Sequence, residues 1–357
     1  MKYWLKKWTA WEYLPWWIAN VPVYGIWLWF AARARHLVFF SNVNPDIPLG
    51  GAMGESKYNI LKLLSPDILP KTVYVDGGTQ FADIERALQN AGIGYPLIAK
   101  PDVGERGFLV KKIRNEDELK EHLARYPVGF IIQEFLVMPI EMTVLYHRYP
   151  DGKRFGITSV CIKEFLSVKG DGVAPVRELM RRDVRAALQL ARFERELPEL
   201  LDDVLTDGEV RLLEPIGNHC RGTKFVNGNH CRGTKFLNGN HLIDDALLAA
   251  FEPVCARLGG VLYGRFDLKC DSIDDLRKGA FKVMELNGVF GEPAHVYDPA
   301  FGMWRAYRDF YRHWRILFEL SKAQRRRGIR PTRHQDALRL IRSYFQYKKQ
   351  LEARLPA

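Results

Sequence analysis

The sequence predicts a chain of mixed helix and strand, of the α+β kind with an α/β texture, and three observations carry this prediction. From Lys71 onward, short runs rich in β-branched and aromatic residues, such as TVYVDG and YPLIAKP, alternate with runs of helical period, such as FADIERALQNAG. A Pro-Asp-Gly turn inside EMTVLYHRYPDGKRFGITSVCIKEF predicts a hairpin. With 357 residues, 47% of them hydrophobic, the chain can bury a sizeable core.

The remaining elements follow in order along the chain. RGFLVKKI and GFIIQEFL are predicted strands on either side of a helix, EDELKEHLARYP, whose first turn is acidic. ELMRRDVRAALQLARFERELPELLDDVL is predicted as the longest helical stretch, and LIDDALLAAFEPVCARLG as a later helix. Two strands, VLYGRFDLKC and FKVMELNGVF, close this part of the chain, separated by an Asp-rich turn.

Composition limits the partners and the compartment. The net charge of +11 predicts attraction to anions: nucleotides, acidic substrates, phospholipid headgroups or nucleic acid. Because no recognised nucleic-acid reading module is present, we expect no nucleic-acid partner. The five cysteines are odd in number and lack disulfide-style clustering, which favours a reducing, cytoplasmic location.

The first forty residues are rich in tryptophan, with seven of the nine in the chain. Lysine and arginine flank an apolar run that is interrupted by Pro15 and Pro22, a pattern unlike a signal peptide. Tryptophan beside basic residues is typical of membrane interfaces, so we expect a peripheral anchor of residues 1–40 on the inner face of a membrane. There are two alternatives to this anchor: the segment packs on the protein body, or it spans the membrane as a short helix from Trp16 to Ala32.

The C-terminal end is the second basic concentration. Arginines recur at helical spacing in RAYRDFYRHWRILFELSKAQRRRGIRPTRH, with aromatic residues between them. An anionic membrane surface would suit such a face, and a solvated amphipathic helix that closes the domain is the alternative.

Two strands near the end of the α+β region carry a candidate metal site. Asp267 lies in RFDLKC, and Glu285 and Asn287 lie on one face of KVMELNG, because side chains two apart in a strand point the same way. Two carboxylates and an amide oxygen form an oxygen-only site suited to Mg²⁺ bound together with a polyphosphate. Solvated hairpin acids beside a turn asparagine are the alternative.

Two earlier segments complement this site. Lys100 stands at a strand end before a loop in which Gly104 and Gly107 can fold backbone N–H groups over phosphates. Residues 133–136 combine hydrogen-bonding side chains with apolar ones, the combination that an adenine site requires. They are Gln133, Glu134, Phe135 and Leu136.

Taken in order, these segments resemble the ATP-grasp superfamily of carboxylate-amine ligases. The resemblance implies two α+β subdomains that clasp ATP and two Mg²⁺ ions. Lys100 would contact phosphate, residues 133–136 would line the adenine and Glu141 would bind the ribose. Asp267, Glu285 and Asn287 would hold magnesium.

Further residues follow from the resemblance to individual families within this superfamily. Arg265, on the same strand face as Asp267, is similar to the arginine that D-alanine ligases place near the acyl-phosphate. SVKGDGVAPVRELM resembles the GDG segment of cyanophycin synthetase and glutathione-type ligases, with Lys169 in place, although Ala174 and Pro175 depart from its Ser-Thr. Lys57, in GESKYNILKLL, would be a second phosphate contact if it is not a solvated helix charge.

The resemblance covers roughly residues 54–293. It implies an enzyme that activates a carboxylate as an acyl-phosphate and joins it to an amine or similar nucleophile, releasing ADP and phosphate. The alternatives are phosphoryl transfer without ligation and a non-catalytic ATP-binding protein at a membrane surface. Because the lobe that precedes the family's fold is replaced by a Trp-rich segment, the small-molecule carboxylate and amine stay unidentified. The predicted divisions are 1–72 (N-terminal segment), 73–137 (small subdomain), 138–320 (large subdomain) and 321–357 (basic helical tail).

A nine-residue block, GNHCRGTKF, occurs twice between residues 217 and 241. Its adjacent His-Cys pairs lack the short ligand spacings of structural zinc sites, so we do not expect zinc. The block lies where related ligases carry a loop that reaches the phosphates, which predicts that one copy faces ATP. Either Arg221 or Arg232 would then act on the phosphates, and Arg221→Ala and Arg232→Ala would differ sharply in their effects.

Overall fold

The computed structural model describes residues 16–104, 107–213 and 234–354. It confirms the predicted α+β class: two antiparallel sheets, each covered by helices, follow one another along the chain. A third, two-stranded sheet forms a small unit beside the larger sheet.

The smaller lobe is a four-stranded antiparallel sheet in the order β1-β4-β2-β3. Its core joins the sheet to two helices through residues such as Leu97, Ile113 and Leu119, each fully buried. The strand predicted over RGFLVKKI is shorter than expected, because Leu109 adopts a positive φ of 56° and the chain turns before the strand begins. The elements are β1 (Thr72–Val75), α3 (Phe81–Ala91), β2 (Leu97–Pro101), β3 (Lys111–Ile113), α4 (Glu116–Arg125) and β4 (Phe130–Glu134).

The larger lobe is a five-stranded antiparallel sheet in the order β11-β10-β5-β6-β9. The predicted hairpin is present, with Gly152 of the Pro-Asp-Gly turn at a φ of +71°. One face of the sheet packs on helices through Met142, Val144, Phe266 and other apolar residues. The elements are β5 (Ile140–Arg148), β6 (Phe155–Glu164), β9 (Lys235–Asn238), α7 (Asp245–Arg257), β10 (Tyr263–Cys270), α8 (Ile273–Arg277) and β11 (Lys282–Asn287).

The long helix predicted between residues 178 and 205 is wrong, because the chain breaks it twice. The side chain of Asp183 accepts hydrogen bonds from the N–H groups of Arg185 and Ala186, which ends one helix and caps the next. Pro198 then begins a 3₁₀ turn. The elements of this small unit are β7 (Ser167–Lys169), α5 (Val176–Arg182), α6 (Val184–Glu196), a 3₁₀ turn (Pro198–Asp202) and β8 (Val210–Leu212).

The chain ends pack together on the larger lobe. The first described helix lies against the long C-terminal helix, and Phe30, Phe39 and Leu317 share a core with Tyr263 of the sheet. The boundary predicted at residue 320 falls inside that long helix. The elements are α1 (Trp16–Ala34), α2 (Lys57–Leu61), α9 (Met303–Arg326) and α10 (His334–Glu352). In the described part of the chain, no helix is both long and apolar enough to cross a bilayer.

Candidate active site

The polar face of the larger sheet brings the predicted metal ligands together. In the antiparallel pairing of β10 and β11, Asp267 lies opposite Glu285, and Arg265 lies opposite Asn287. Strand alternation places all four side chains on the face that is turned away from the apolar core. Two adjacent strands therefore supply the carboxylates and the amide that the sequence predicted to act together.

Asp267 is the centre of the hydrogen bonding on this face. Its Oδ1 accepts from Arg265 Nε at 2.9 Å and from Asn287 Nδ2 at 3.3 Å, and its Oδ2 accepts from Lys163 Nζ at 3.2 Å. Burial alone would raise the pKa of Asp267, but Arg265 and then Lys163 outweigh it and lower that pKa. Asp267 is therefore ionised at neutral pH.

Lys163 and Lys269 belong to the site, although the sequence analysis did not single them out. Lys163 Nζ lies 2.8 Å from Glu141 Oε1, and Lys269 Nζ lies 3.7 Å from Glu141 Oε2. Burial acts to lower the pKa of Lys163, but Glu141 and Asp267 reverse the effect and raise it. The sequence held a signal for Lys163: within SVCIKEF, the residues two before and two after this lysine, Cys161 and Phe165, are apolar and share its strand face.

Glu141, which the resemblance placed at the ribose, is buried between these two lysines. Its register explains the contacts, because it pairs with Lys163 on β6 and with Lys269 on β10 in one row across the sheet. A carboxylate held by two cations keeps both of them oriented on the polar face.

Lys100 reaches the site from the smaller lobe. Its Nζ donates to the backbone oxygen of Met284 at 2.7 Å, which joins β2 to the residue before Glu285. Ile98 and Lys100 occupy the face of β2 opposite to buried Leu97 and Ala99, so this face is turned toward the larger lobe. Burial lowers the pKa of Lys100 to about 8.

Lys57 and the glycine loop lie at the same edge. Lys57 Nζ lies 3.7 Å from Glu285 Oε1 and also donates to the backbone oxygen of Gly104. Gly104 and Gly107 have φ angles of +152° and +71°, values that favour glycine. The loop predicted to fold over phosphates therefore begins next to a lysine that already faces the candidate metal ligands.

The segment that joins the two lobes has the mixed character predicted for an adenine site. Lys269 Nζ donates to the backbone oxygen of Leu136 at 3.3 Å, and Lys112 Nζ lies 3.7 Å from the centre of the Phe135 ring. Gln133 is buried and donates to Thr72 Oγ1, and Glu134 accepts from the N–H of Lys71. The side chains of Gln133 and Glu134 therefore bond to residues at the start of β1. The backbone of this segment and the Phe135 ring lie at the connection between the two lobes.

One predicted site residue in the described part of the chain is not brought to this face, and two others lie outside that part. Lys169 lies exposed on the separate two-stranded sheet, where its partner in the register is Val210. Arg221 and Arg232, with most of the repeated block, lie outside the described residues.

The donor set fits magnesium by its chemistry. Carboxylate and amide oxygens are the hard ligands that this ion prefers, and Glu285, with 31% of its side chain exposed, is accessible to it. Within the described ranges no three His, Cys, Asp or Glu residues cluster as a metal site, and the predicted donor set consists of two carboxylates and one amide. Phosphate oxygens of a bound nucleotide are the usual complement of such a set.

Charged side chains are concentrated on this face. Five cationic side chains and three carboxylates meet there in a partly desolvated environment. The cations come from both lobes and from the helix that precedes them. They are Lys57, Lys100, Lys163, Arg265 and Lys269, and the carboxylates are Glu141, Asp267 and Glu285.

Comparison with known proteins identifies similar folds among ligases. D-alanine–D-alanine ligase from Bacillus anthracis matches at 13% identity and a TM-score of 0.40, over 76% of this chain and 69% of that one. The same enzyme complexed with ATP matches at 14% identity and a TM-score of 0.40, over 76% of this chain and 67% of that one. VanG D-Ala:D-Ser ligase from Enterococcus faecalis matches at 14% identity and a TM-score of 0.41, over 74% of this chain and 61% of that one.

Neither protein-family models nor curated protein sequences gave a match. At these identities and TM-scores, the likeness to the ligases carries nothing about activity or substrate.

Proposed function

We propose that this protein is an ATP-dependent ligase, which activates a carboxylate as an acyl-phosphate and joins it to an amine. One observation carries the proposal: cations of two lobes converge on the cross-strand pair of Asp267 and Glu285, with Lys100 of the smaller lobe bound to the strand that holds Glu285. An anion whose charge grows during reaction is stabilised by cations fixed in advance in this way.

The chemistry divides into two balanced steps. A carboxylate oxygen of the first substrate attacks the terminal phosphorus of ATP, the bond to the bridging oxygen breaks, and ADP leaves. The amine nitrogen then attacks the acyl carbon, phosphate leaves with the oxygen, and the amine proton passes to solvent. Little covalent work falls to the protein, which has to align the reactants and neutralise charge on the transferred group.

The residues divide these tasks between them. Lys100 and Lys57 would hold the phosphate chain beneath the glycine loop, and Lys163 with Arg265 would face the transferred phosphoryl group. Magnesium, held by Asp267, Glu285 and Asn287, would supply charge neutralisation on the phosphate oxygens. The ring of Phe135 and the backbone of the hinge would form the adenine site.

A conservative change at Glu285 tests the proposal, because its ion pair with Lys57 is long, at 3.7 Å, and the buried network around Asp267 is left intact. We expect Glu285→Gln to lower magnesium- and ATP-dependent turnover by about two orders of magnitude. The measurement is ADP release against panels of carboxylic acids paired with amines, amino acids and peptides, with mass analysis of the products.

The matched control is Glu164→Gln, a neighbouring carboxylate on the larger sheet that is half exposed and pairs with Lys235. This control variant should keep full turnover. Wild-type turnover in Glu285→Gln would contradict the site assignment. A stable phosphorylated product without an amide would replace ligation by phosphoryl transfer.

A further inference from the structure

The first described helix, α1, has a composition unusual for the surface of a water-soluble protein. From Trp16 to Ala32 it carries no charged residue. One side of it packs on the body, where Val23 joins a core with Phe310, and Phe30 joins a core with Phe318. A surface helix normally has charged residues on its opposite side, and α1 has none before Arg33 in its last turn.

The outward side of α1 is an apolar stripe exposed to solvent. Val21, Leu28 and Trp29 are 60%, 51% and 56% exposed. At about 100° per residue, Val21 and Leu28 lie on one line along the helix together with Gly25, where an added Cβ would meet nothing within 4 Å. We call Val21, Gly25, Leu28 and Trp29 the apolar stripe.

A basic face lies beside the apolar stripe on the long C-terminal helix α9. The ring of Tyr311 lies 5.3 Å from that of buried Phe30 at the seam between the two helices. The Arg33 guanidinium, 5.9 Å above the Trp29 ring and 5.6 Å above the Phe318 ring, links the apolar stripe to α9. Arg308 and Arg315, three residues before and four after Tyr311, are exposed on the same side of α9. Arg312 is exposed next to them, and we call these three arginines the basic face.

The charge of the basic face is available to a partner. In the described part of the chain, none of Arg308, Arg312 and Arg315 forms an ion pair. The acidic residues of the same helix are engaged elsewhere, since Asp309 bonds to buried His295 at 2.8 Å and Glu319 pairs with Lys322.

We propose that the apolar stripe and the basic face together dock this protein on an anionic lipid surface, with α1 lying in the plane of the interface. Leucine, valine and tryptophan enter the boundary between headgroups and acyl chains, while adjacent arginines attract the lipid phosphates. A second copy of the chain fits this surface less well, because pairing the face with itself would bring its unpaired arginines together in a chain of net charge +11.

Flotation of the full chain on lipid vesicles tests this docking surface, independently of any turnover. We expect binding to vesicles of phosphatidylcholine with phosphatidylglycerol, weak binding to phosphatidylcholine alone, and release at high salt. Leu28→Asp should lower the partition coefficient by about tenfold or more, from lost apolar burial and added repulsion. The double change Arg308→Gln and Arg315→Gln should lower it on the order of 30-fold.

Matched controls separate the docking surface from general charge and hydrophobicity. Leu212→Asp changes a leucine on β8 that is 48% exposed, close to the exposure of Leu28. Arg86→Gln with Arg114→Gln removes two exposed arginines of the smaller lobe, both engaged in surface ion pairs. Both controls should float like the wild type, and all variants should melt within a few degrees of it.

Three outcomes would overturn the proposal. The first is equal loss of binding in the controls, and the second is binding to neutral vesicles that salt does not affect. The third is a Leu28→Asp protein that floats normally but changes its sedimentation in solution, which would assign the apolar stripe to a dimer of this chain.

Discussion

At the residue scale, the candidate site depends on buried charges that hold one another in place. Lys163 bridges Glu141 and Asp267 with 5% of its side chain exposed, and Arg265 supports Asp267 from the next row. A buried ion pair is poor evidence for stability, since desolvation opposes the attraction between its charges. Such a network on one sheet face is better explained by a function that needs charged side chains in fixed positions, such as the binding of an anion.

At Lys100, the cost in folding stability of a buried charge can be measured separately from its contribution to function. Burial lowers its pKa to about 8, against 10.5 for the ordinary group. Between these two values the unfolded chain binds more protons than the folded one, so the free energy of unfolding rises with pH in that window. Below pH 8 the folded protein therefore carries a penalty of up to about 3 kcal/mol.

We expect Lys100→Met to stabilise the protein at pH 7 and to weaken ATP binding strongly. The stability gain should shrink as the pH rises through 10.5, since the wild-type lysine is neutral in both states above that value. Urea unfolding at several pH values and calorimetric titration with a non-hydrolysable ATP analogue measure the two effects. Exposed Lys153→Met should change neither, and a destabilised Lys100→Met protein at pH 7 would refute the argument.

At the element scale, short connections decide how the strands and helices are placed. The break at Asp183 turns one predicted helix into two, so α5 and α6 pack on each other around Met180 and Ala186. This small unit carries the predicted GDG segment, and its β7–β8 sheet depends on a close approach of two backbones. Gly170 N–H donates to the oxygen of Glu209, and the oxygen of Gly170 accepts from Gly208.

Gly170 tests that close approach. A Cβ at this position would lie 2.2 Å from the backbone oxygen of Thr206 and 2.7 Å from Leu205 Cβ, so the two segments would have to separate. We expect Gly170→Ala to lower the free energy of unfolding by about 1–3 kcal/mol, as overpacking does elsewhere. Urea denaturation monitored by circular dichroism measures the change.

Gly94→Ala is the control for that substitution. A Cβ at Gly94 meets nothing within 4 Å, and its backbone is not in the left-handed region. Its effect should stay within about 0.5 kcal/mol. Equal effects of the two alanines would show that the approach at Gly170 does not constrain the fold.

At the scale of the whole molecule, burial of neutral histidines couples stability to acidity. His122, His147 and His313 each have a pKa lowered to about 4, with burial as the largest cause. Because the unfolded chain titrates these groups near 6.5, it binds more protons than the folded one as the pH falls from 6.5 to 4. The stability that comes from keeping these histidines neutral is therefore fully present above pH 6.5 and is lost on acidification.

The magnitude is about 2 kcal/mol for each such histidine between pH 7 and pH 5. His122 is suited to a test, because its ring packs against the edges of Tyr126 and Phe130 and an aromatic replacement keeps that packing. In His122→Phe the loss of unfolding free energy between pH 7 and pH 5 should be smaller by that amount. Exposed His241→Phe is the control, and an unchanged slope in His122→Phe would contradict the prediction.

Sequence patterns predicted the α+β class, the hairpin and the two strands, β10 and β11, that carry the candidate metal ligands. They could do so because the alternation of side chains along a strand is a local property of the sequence. Glu285 and Asn287 could be assigned to one face of their strand without coordinates for that reason, whereas the register between β10 and β11 places Asp267 beside them. The contacts of Lys163 and Lys269 could not, since they depend on the register of strands up to 130 residues apart in the chain. The predicted helix over 178–205 was wrong because its apolar period continued through a capping aspartate.

The sequence by itself determined which residues are charged, and the alternation along each strand determined which of them share a face of that strand. The sequence also determined the tryptophan-rich character of the first forty residues and the uncharged run from Trp16 to Ala32 within them. Only the tertiary structure decided that Lys100 contacts the strand of the other lobe, that Glu141 lies between two lysines, and which side of α1 is exposed. The physical reason is that burial and long-range pairing are properties of the packed chain, whereas charge and periodicity belong to each segment alone.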